Sequence, residues 1–209
     1  DKAIAIDPNY KEAHNNKGNA LDDLGRYEEA IKEYDKAIAI DPNFKEAHNN
    51  KGAALGNLGR YEEAIKEYDK IIAIDPNDRE AHNNKGNALN NLGRYEEAIK
   101  EYDKAIAIDP NYKEAHNNKG NALDDLGRYE EAIKEYDKAI AIDPNFKEAH
   151  NNKGAALGNL GRYEEAIKEY DKIIAIDPND REAHNNKGNA LNNLGRYEEA
   201  IKEYDKAIA

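Results

Sequence analysis

The strongest constraint on the fold is a spacing that repeats along the whole chain. Proline occurs at positions 8, 42, 76, 110, 144 and 178, and histidine at positions 14, 48, 82, 116, 150 and 184, so each recurs every 34 residues. A fixed period of this length is typical of solenoid proteins, in which each unit packs mainly against its neighbours. The sequence therefore predicts an array of similar units.

A second, longer period lies over the first. Residues 103–209 repeat residues 1–107 without one change, a shift of 102 residues or three units of 34. The three units inside that block differ from one another, for example at Asp22, Gly56 and Asn90. Because old duplicates accumulate differences, we infer a copied three-unit block, and we favour an engineered origin over a recent natural duplication.

Each unit has the pattern of two helices. In the first unit, apolar residues recur every three or four positions over residues 13–24 and again over residues 27–38, which is the spacing of an amphipathic helix. Gly25 suits the left-handed residue that ends a helix, and Pro42 prevents the second helix from continuing. We expect Asn9 to cap the first helix. A helix of about 14 residues is marginal alone in water, so stacking must supply the stability.

The same pattern resembles the tetratricopeptide repeat in its spacing and in most residue types. The residues that carry the resemblance in the first unit are His14, Lys17, Gly18, Leu21, Ala30, Tyr34 and Pro42. The resemblance implies an all-α fold, a right-handed superhelical solenoid of antiparallel helix pairs. It also implies that the first helix of each pair lines a concave groove.

The resemblance covers residues 1–209 as a single solenoid domain. Residues 1–10 correspond to the end of a preceding second helix and its loop. The repeats are predicted at residues 11–44, 45–78, 79–112, 113–146, 147–180 and 181–209, the last of them incomplete.

Two positions depart from the family pattern, which usually has an aromatic residue in place of His14 and an apolar residue in place of Lys17. We expect His14 to pack as a half-buried aromatic. Neighbouring helices lie about 8–10 Å apart, too far for two imidazoles to share a zinc ion at about 2 Å each. Lys17 should lay its stem along the core, with its ammonium beside a tyrosine ring or a carboxylate of the adjacent unit.

The composition argues against several classes of function. Ser, Thr and Cys are absent, which removes the usual nucleophiles, disulfides and thiolate metal sites. Adjacent carboxylates such as Asp22 and Asp23 diverge by about 100° on a helix and form no catalytic dyad. We therefore expect a non-enzyme with no cofactor and no metal.

The charge and the hydropathy pattern bear on partners and location. The net charge of -12 disfavours nucleic acid, because phosphate binding needs clustered Lys and Arg. No apolar run approaches the roughly 20 residues of a membrane span, so we expect no membrane partner. The cytoplasm is the expected location.

The first helices carry the candidate binding surface, because the family lines its groove with them. An Asn side chain can both donate and accept, so a row of Asn can pair with an extended peptide backbone. The candidate Asn residues are Asn15, Asn16, Asn19, Asn49, Asn50, Asn83, Asn84, Asn87, Asn117, Asn118, Asn121, Asn151, Asn152, Asn185, Asn186 and Asn189. The candidate acidic residues are Glu12, Asp22, Asp23, Glu46, Glu80, Glu114, Asp124, Asp125, Glu148 and Glu182.

Two roles follow from this surface. The first is a protein-interaction scaffold that binds neutral or basic peptides, since acidic side chains repel acidic ones. The second is a structural or engineered array with no ligand, in which the Asn residues only solvate a polar face. Solenoid ends without polar caps expose apolar surface, so we also expect head-to-tail self-association. The alternative is that the chain is a segment of a longer repeat array.

Overall fold

A computed structural model describes residues 9–208, in which twelve α-helices and no strand occur. The chain divides into two compact units, one ending at Asp109 and the other beginning at Pro110. In the first unit the helices are α1 (Lys11–Asp23), α2 (Tyr27–Ile40), α3 (Lys45–Asn57), α4 (Tyr61–Ile74), α5 (Arg79–Asn91) and α6 (Tyr95–Ile108). In the second unit they are α7 (Lys113–Asp125), α8 (Tyr129–Ile142), α9 (Lys147–Asn159), α10 (Tyr163–Ile176), α11 (Arg181–Asn193) and α12 (Tyr197–Ile208).

Each predicted repeat contains one pair of these helices, and the all-α solenoid fold is confirmed. Within each unit, every helix packs against the helices that precede and follow it in the chain. The predicted helix end and loop at residues 1–10 lie, up to residue 8, outside the described residues. No helix between residues 9 and 208 combines the length and the apolar character that crossing a bilayer requires.

A glycine in the left-handed conformation joins the two helices of each repeat, as predicted. Gly25 has a φ of 72°, where a side chain would be strained. The Arg26 amide donates to the Leu21 carbonyl at 2.9 Å, and the Gly25 amide donates to the Asp22 carbonyl at 2.8 Å. These bonds satisfy the last carbonyls of α1 and start α2 two residues after the glycine.

The connection between repeats is a turn built on Asp-Pro-Asn. Helix α2 ends at Ile40, and the Asn43 amide donates to Asp41 Oδ1 at 3.0 Å. The prediction that Asn9 caps α1 is wrong, because the residue that precedes the helix is Tyr10. At the equivalent turn, Asp41 takes up the Asn43 amide and the helix begins two residues later, at Lys45.

The core consists of small residues and tyrosine rings. Ala30, Ile31, Tyr34 and Ala37 of α2 are buried, as the predicted stripe requires. In every repeat a glycine of the first helix lies against a tyrosine ring of the second helix, and Gly52 is an example. A Cβ added at Gly52 would lie 2.7 Å from a ring carbon of Tyr68, so only glycine lets the two helices approach this closely.

Candidate functional site

The first-helix surface, formed by α1, α3 and α5 in one unit and by α7, α9 and α11 in the other, holds a network of Asn side chains. Asn50 Nδ2 donates to Asn15 Oδ1 at 3.2 Å and to Asn19 Oδ1 at 3.0 Å. In the second unit Asn152 Nδ2 makes the equivalent bonds at 3.1 and 3.0 Å. These amide groups therefore join each repeat to the one before it.

The next junction in each unit has one such bond in place of two. Asn84 Nδ2 donates to Asn49 Oδ1 at 2.9 Å, and Asn186 Nδ2 donates to Asn151 Oδ1 at the same distance. Across these four junctions the Asn donors are engaged by the preceding repeat. The side-chain Oδ1 atoms of Asn50, Asn84, Asn152 and Asn186 make no hydrogen bond within residues 9–208.

Among the candidate residues that lie in the interior, Asn15 and Asn117 are the least exposed. Asn15 and Asn117 are each 1% exposed. Asn15 Nδ2 donates to Glu46 Oε1 at 2.8 Å, and Asn117 Nδ2 donates to Glu148 Oε1 at 2.9 Å. These two Asn side chains connect neighbouring first helices, and their amide donors are not open to a ligand.

The candidate residues separate into three groups by exposure. Buried are Asn15, Asn83 and Asn117. Half-buried are Glu12, Asn19, Asp22, Asn49, Asn50, Asn84, Asn87, Asn118, Asn121, Asp124, Asn151, Asn152 and Asn186. Exposed are Asn16, Asp23, Glu46, Glu80, Glu114, Asp125, Glu148, Glu182, Asn185 and Asn189.

A contact that sequence reasoning missed holds Asn to the second helix of the same repeat. Tyr34 Oη donates to Asn19 Oδ1 at 2.9 Å, and Tyr102 Oη donates to Asn87 Oδ1 at 2.8 Å. Equivalent bonds in the second unit are Tyr136 to Asn121 and Tyr204 to Asn189. A constant separation of 15 residues between Asn and Tyr was the available sequence signal.

The acidic pairs at the C-terminal ends of α1 and α7 contain a carboxylate oxygen with no partner. Asp22 Oδ1 and Asp124 Oδ1 are buried and accept no hydrogen bond. Burial raises the pKa of Asp22, and the neighbouring charge of Asp23 raises it further. The pKa of Asp124 is raised by burial and by Asp125 in the same way. Each carboxylate lacks the positive group or donor that would stabilise its charge.

The histidines take part in a buried polar cluster between the two helices of each repeat. In the second repeat His48 Nδ1 lies 2.6 Å from Glu67 Oε2, and His48 Nε2 lies 2.8 Å from the Pro42 carbonyl oxygen. The ring is therefore in contact with an oxygen at each of its two nitrogens. The equivalent pair of contacts occurs at His82, His116, His150 and His184, so these rings are held by polar contacts on both edges.

Lysines complete this cluster. Lys51 Nζ lies 2.7 Å from Asp35 of the preceding repeat and 3.0 Å from Glu67, so the carboxylate of the adjacent unit that was expected beside Lys17 is found at Lys51. Lys17 Nζ itself lies 3.3 Å from Glu33 of its own repeat. Burial raises the pKa of Glu67, but hydrogen bonds from His48, Lys51 and Lys70 outweigh it and lower the pKa to about 2. A carboxylate so fully bonded is structural and has no lone pair left for acid–base chemistry.

No group of three or more His, Asp or Glu side chains within residues 9–208 is arranged to hold a metal ion. The candidate residues of the first-helix surface carry amide groups and carboxylates. Such a surface can form hydrogen bonds and ion pairs with another molecule.

Comparison with protein families gives matches along the chain. Models described as TPR repeat match residues 18–59, 86–127 and 120–161. Models described as tetratricopeptide repeat match residues 1–32, 46–78, 67–100 and 151–209. No curated protein matches the chain.

Several solved structures are similar to this one. MamA is 29% identical, with 76% of this chain and 92% of MamA covered and a TM-score of 0.67. YrrB, described as a TPR protein with an unusual peptide-binding site, is 25% identical, with 87% and 94% covered and a TM-score of 0.63. PilF of Pseudomonas aeruginosa is 20% identical, with 92% and 88% covered and a TM-score of 0.78, and it shows a likeness of fold alone.

Proposed function

The chain belongs to the tetratricopeptide-repeat family, and on that premise we propose that its first-helix surface binds extended neutral or basic peptide segments of a partner protein. The observation that carries the proposal is the set of acceptors without partners on that surface. Asp22 and Asp124 each have a buried oxygen that accepts nothing. The Asn50 and Asn152 oxygens make no hydrogen bond within residues 9–208.

The chemistry of these acceptors sets the kind of peptide. Because the Asn50 donor is already engaged by the preceding repeat, the surface offers oxygens to a ligand, which suit backbone N–H, ammonium and guanidinium groups. A Lys or Arg beside Asp22 would compensate a charge that the protein leaves uncompensated. The net charge of -12 adds a general attraction for basic segments.

The expected affinity is modest. Each net hydrogen bond contributes about 0.5–1.5 kcal/mol, and ordering a flexible peptide offsets much of the sum. We therefore expect micromolar to weaker dissociation constants, with a marked dependence on salt for basic peptides. A partner segment of several residues would need to contact successive repeats.

Peptide binding measured by fluorescence anisotropy at low salt tests the proposal. Basic peptides should bind the parent chain saturably, and D22N/D124N should weaken them about fivefold while leaving neutral peptides unchanged. The matched control is E28Q/E130Q, which removes the same charge from the second helices, where Glu28 and Glu130 are exposed and pair with arginines. Equal loss in both variants would show that only net charge acts.

A structural array without a ligand is the second candidate. It is favoured by the amide donors of Asn50, Asn84, Asn152 and Asn186, which all bond to the preceding repeat. Absence of saturable binding for every peptide in a broad neutral and basic set would support this role and overturn the first. An alanine at Asn50 is a poor test, because it would also break the bonds to Asn15 and Asn19.

A further inference from the structure

The second and fifth repeats each contain a buried tyrosine side chain whose hydroxyl makes no hydrogen bond within residues 9–208. Tyr68 and Tyr170 are each 5% exposed, and neither makes a hydrogen bond within residues 9–208. Their counterparts donate to an Asn, as Tyr34 does to Asn19. In these two repeats the Asn position is Ala53 or Ala155, so the acceptor is missing.

A cavity lies beside each of these hydroxyls. The first has a volume of about 350 Å³ and lies between α3, α4 and α5, with Ala53, Gly56, Tyr68 and Asn87 in its lining. The second, of about 330 Å³, has the equivalent lining in the other unit. Gly56 opens the space further, because a Cβ added there would meet nothing within 4 Å. Both volumes are at the lower end of the range for ligand pockets, about 300–1,000 Å³.

The cavity chemistry is neutral and contains both donors and an acceptor. No Asp, Glu, Lys or Arg lines either cavity. Burial raises the pKa of Tyr68 to about 12, so its hydroxyl keeps its proton and donates. Asn87 Oδ1 accepts from Tyr102, which leaves its amide group as a second donor. Asn84 Nδ2 is engaged with Asn49, which leaves its oxygen as the acceptor.

A group that serves these three side chains together accepts from Tyr68 and Asn87, donates to Asn84 and carries no charge. A primary carboxamide has one oxygen acceptor and two N–H donors on neighbouring atoms. A carboxylate offers no donor, an ammonium offers no acceptor, and either would bring an uncompensated charge into a neutral pocket. An aliphatic side chain would cover the Tyr68 hydroxyl without offering it an acceptor, which is unfavourable.

We propose that the cavities beside Tyr68 and Tyr170 are two identical subsites, each of which receives the side-chain carboxamide of a Gln or Asn from a bound peptide. The proposal rests on the proposed peptide-binding function and specifies the residue read at these two positions. The other described tyrosines in Asn-containing repeats, such as Tyr34, have their acceptor within the chain and provide no such subsite.

The test compares host peptides that differ at one residue. A neutral extended peptide with a central Gln should bind about fivefold more tightly than the same peptide with Glu or Met, which match its length but lack the carboxamide. The variant A53N/A155N restores the internal acceptor used elsewhere in the chain, and it should abolish the preference for Gln. It is expected to fold, because Asn19 and Asn87 occupy the same place in other repeats.

The matched control is A73N/A175N, which makes the same change at exposed alanines on α4 and α10, away from the cavities. The control should keep the Gln preference. Equal affinity for the three peptides, or a preference that survives A53N/A155N, would overturn the proposal while leaving peptide binding itself intact.

Titration with propionamide, the side-chain group of Gln, separates this proposal from the peptide-binding function. Saturable shifts of tyrosine ring signals in the NMR spectrum of the parent chain, absent in A53N/A155N, would support the subsites even if no peptide bound. No shift, or an equal response to propionate, would overturn them.

Discussion

Replacing Glu67 by Gln tests whether the buried cluster stabilises the fold through charge. Glu67 is 5% exposed and is bonded to His48 at 2.6 Å, to Lys51 at 3.0 Å and to Lys70 at 3.0 Å. These bonds lower its pKa from 4.5 to about 2. Since one pKa unit corresponds to about 1.4 kcal/mol, the shift is equivalent to about 3 kcal/mol of folding free energy.

The sign follows from the lowered pKa. The stabilisation is present above the ordinary pKa of 4.5 and is lost as the pH falls towards 2, where the folded state also takes up the proton. At pH 7, the free energy of unfolding of E67Q should therefore be about 3 kcal/mol lower than that of the parent chain. The difference should shrink progressively in acid, because the parent carboxyl then becomes neutral as well.

Urea denaturation followed by circular dichroism at pH 7, 5, 4 and 3 measures this difference. The control is E63Q on the same helix, since Glu63 has a 49% exposed side chain paired with Arg60 and should change stability by less than about 0.5 kcal/mol. E169Q lies in the copied block, where the pKa of Glu169 is also about 2, and should match E67Q. If E67Q costs no more than E63Q, or if its cost does not change with pH, the reasoning is refuted.

Three further predictions concern packing, binding and association. Gly52→Ala should lower the melting temperature, because the new methyl would lie 2.7 Å from the Tyr68 ring. Gly56→Ala meets nothing within 4 Å and should raise stability by up to about 1 kcal/mol, because Ala has the higher helix propensity. Thermal melts in which the two variants behave alike would contradict this. Binding of basic peptides should weaken in mild acid at a higher pH than for an ordinary carboxyl group, because the pKa of Asp124 is raised, and anisotropy titrations that show no effect of pH would refute it. Head-to-tail association, if it occurs, should be suppressed by I201E, since Ile201 is 57% exposed on α12; light scattering that rises equally with concentration in parent and variant would exclude that face.

The helices and the core were predictable because their causes are local. The alternation of apolar residues at intervals of three and four fixes which face of α2 is buried, and Ala30, Ile31 and Tyr34 are buried as predicted. Gly25 has the expected positive φ, and the helix before Pro42 ends at the expected place. These signals depend on residues close together in the chain.

The polar contacts were less predictable because they join residues far apart in sequence. The spacing of Asn residues in the sequence does not show whether the side-chain oxygen or the amide group is hydrogen-bonded. The bonds from Asn50 to Asn15 and Asn19 therefore follow only from the stacking of α3 on α1. The error at Asn9 has a local cause, since the turn places Tyr10 immediately before the helix and so leaves Asn9 one residue too early to cap it. Asn15 was assigned to the binding surface, but it is bonded to Glu46 in the interior.

The bonds between Asn side chains have a direction, because in each of them the donor lies on the later repeat and the acceptor on the repeat before it. The bonds from Asn15 to Glu46 and from Asn117 to Glu148 run the other way. Asn50 finds two acceptors because Asn19 precedes it, whereas Asn84 finds one because Ala53 does. Shuffled chains built from the same three repeat sequences would thus differ in cohesion from junction to junction, although their compositions were identical. In this protein, the order of the repeats determines bonds that the composition of the repeats does not.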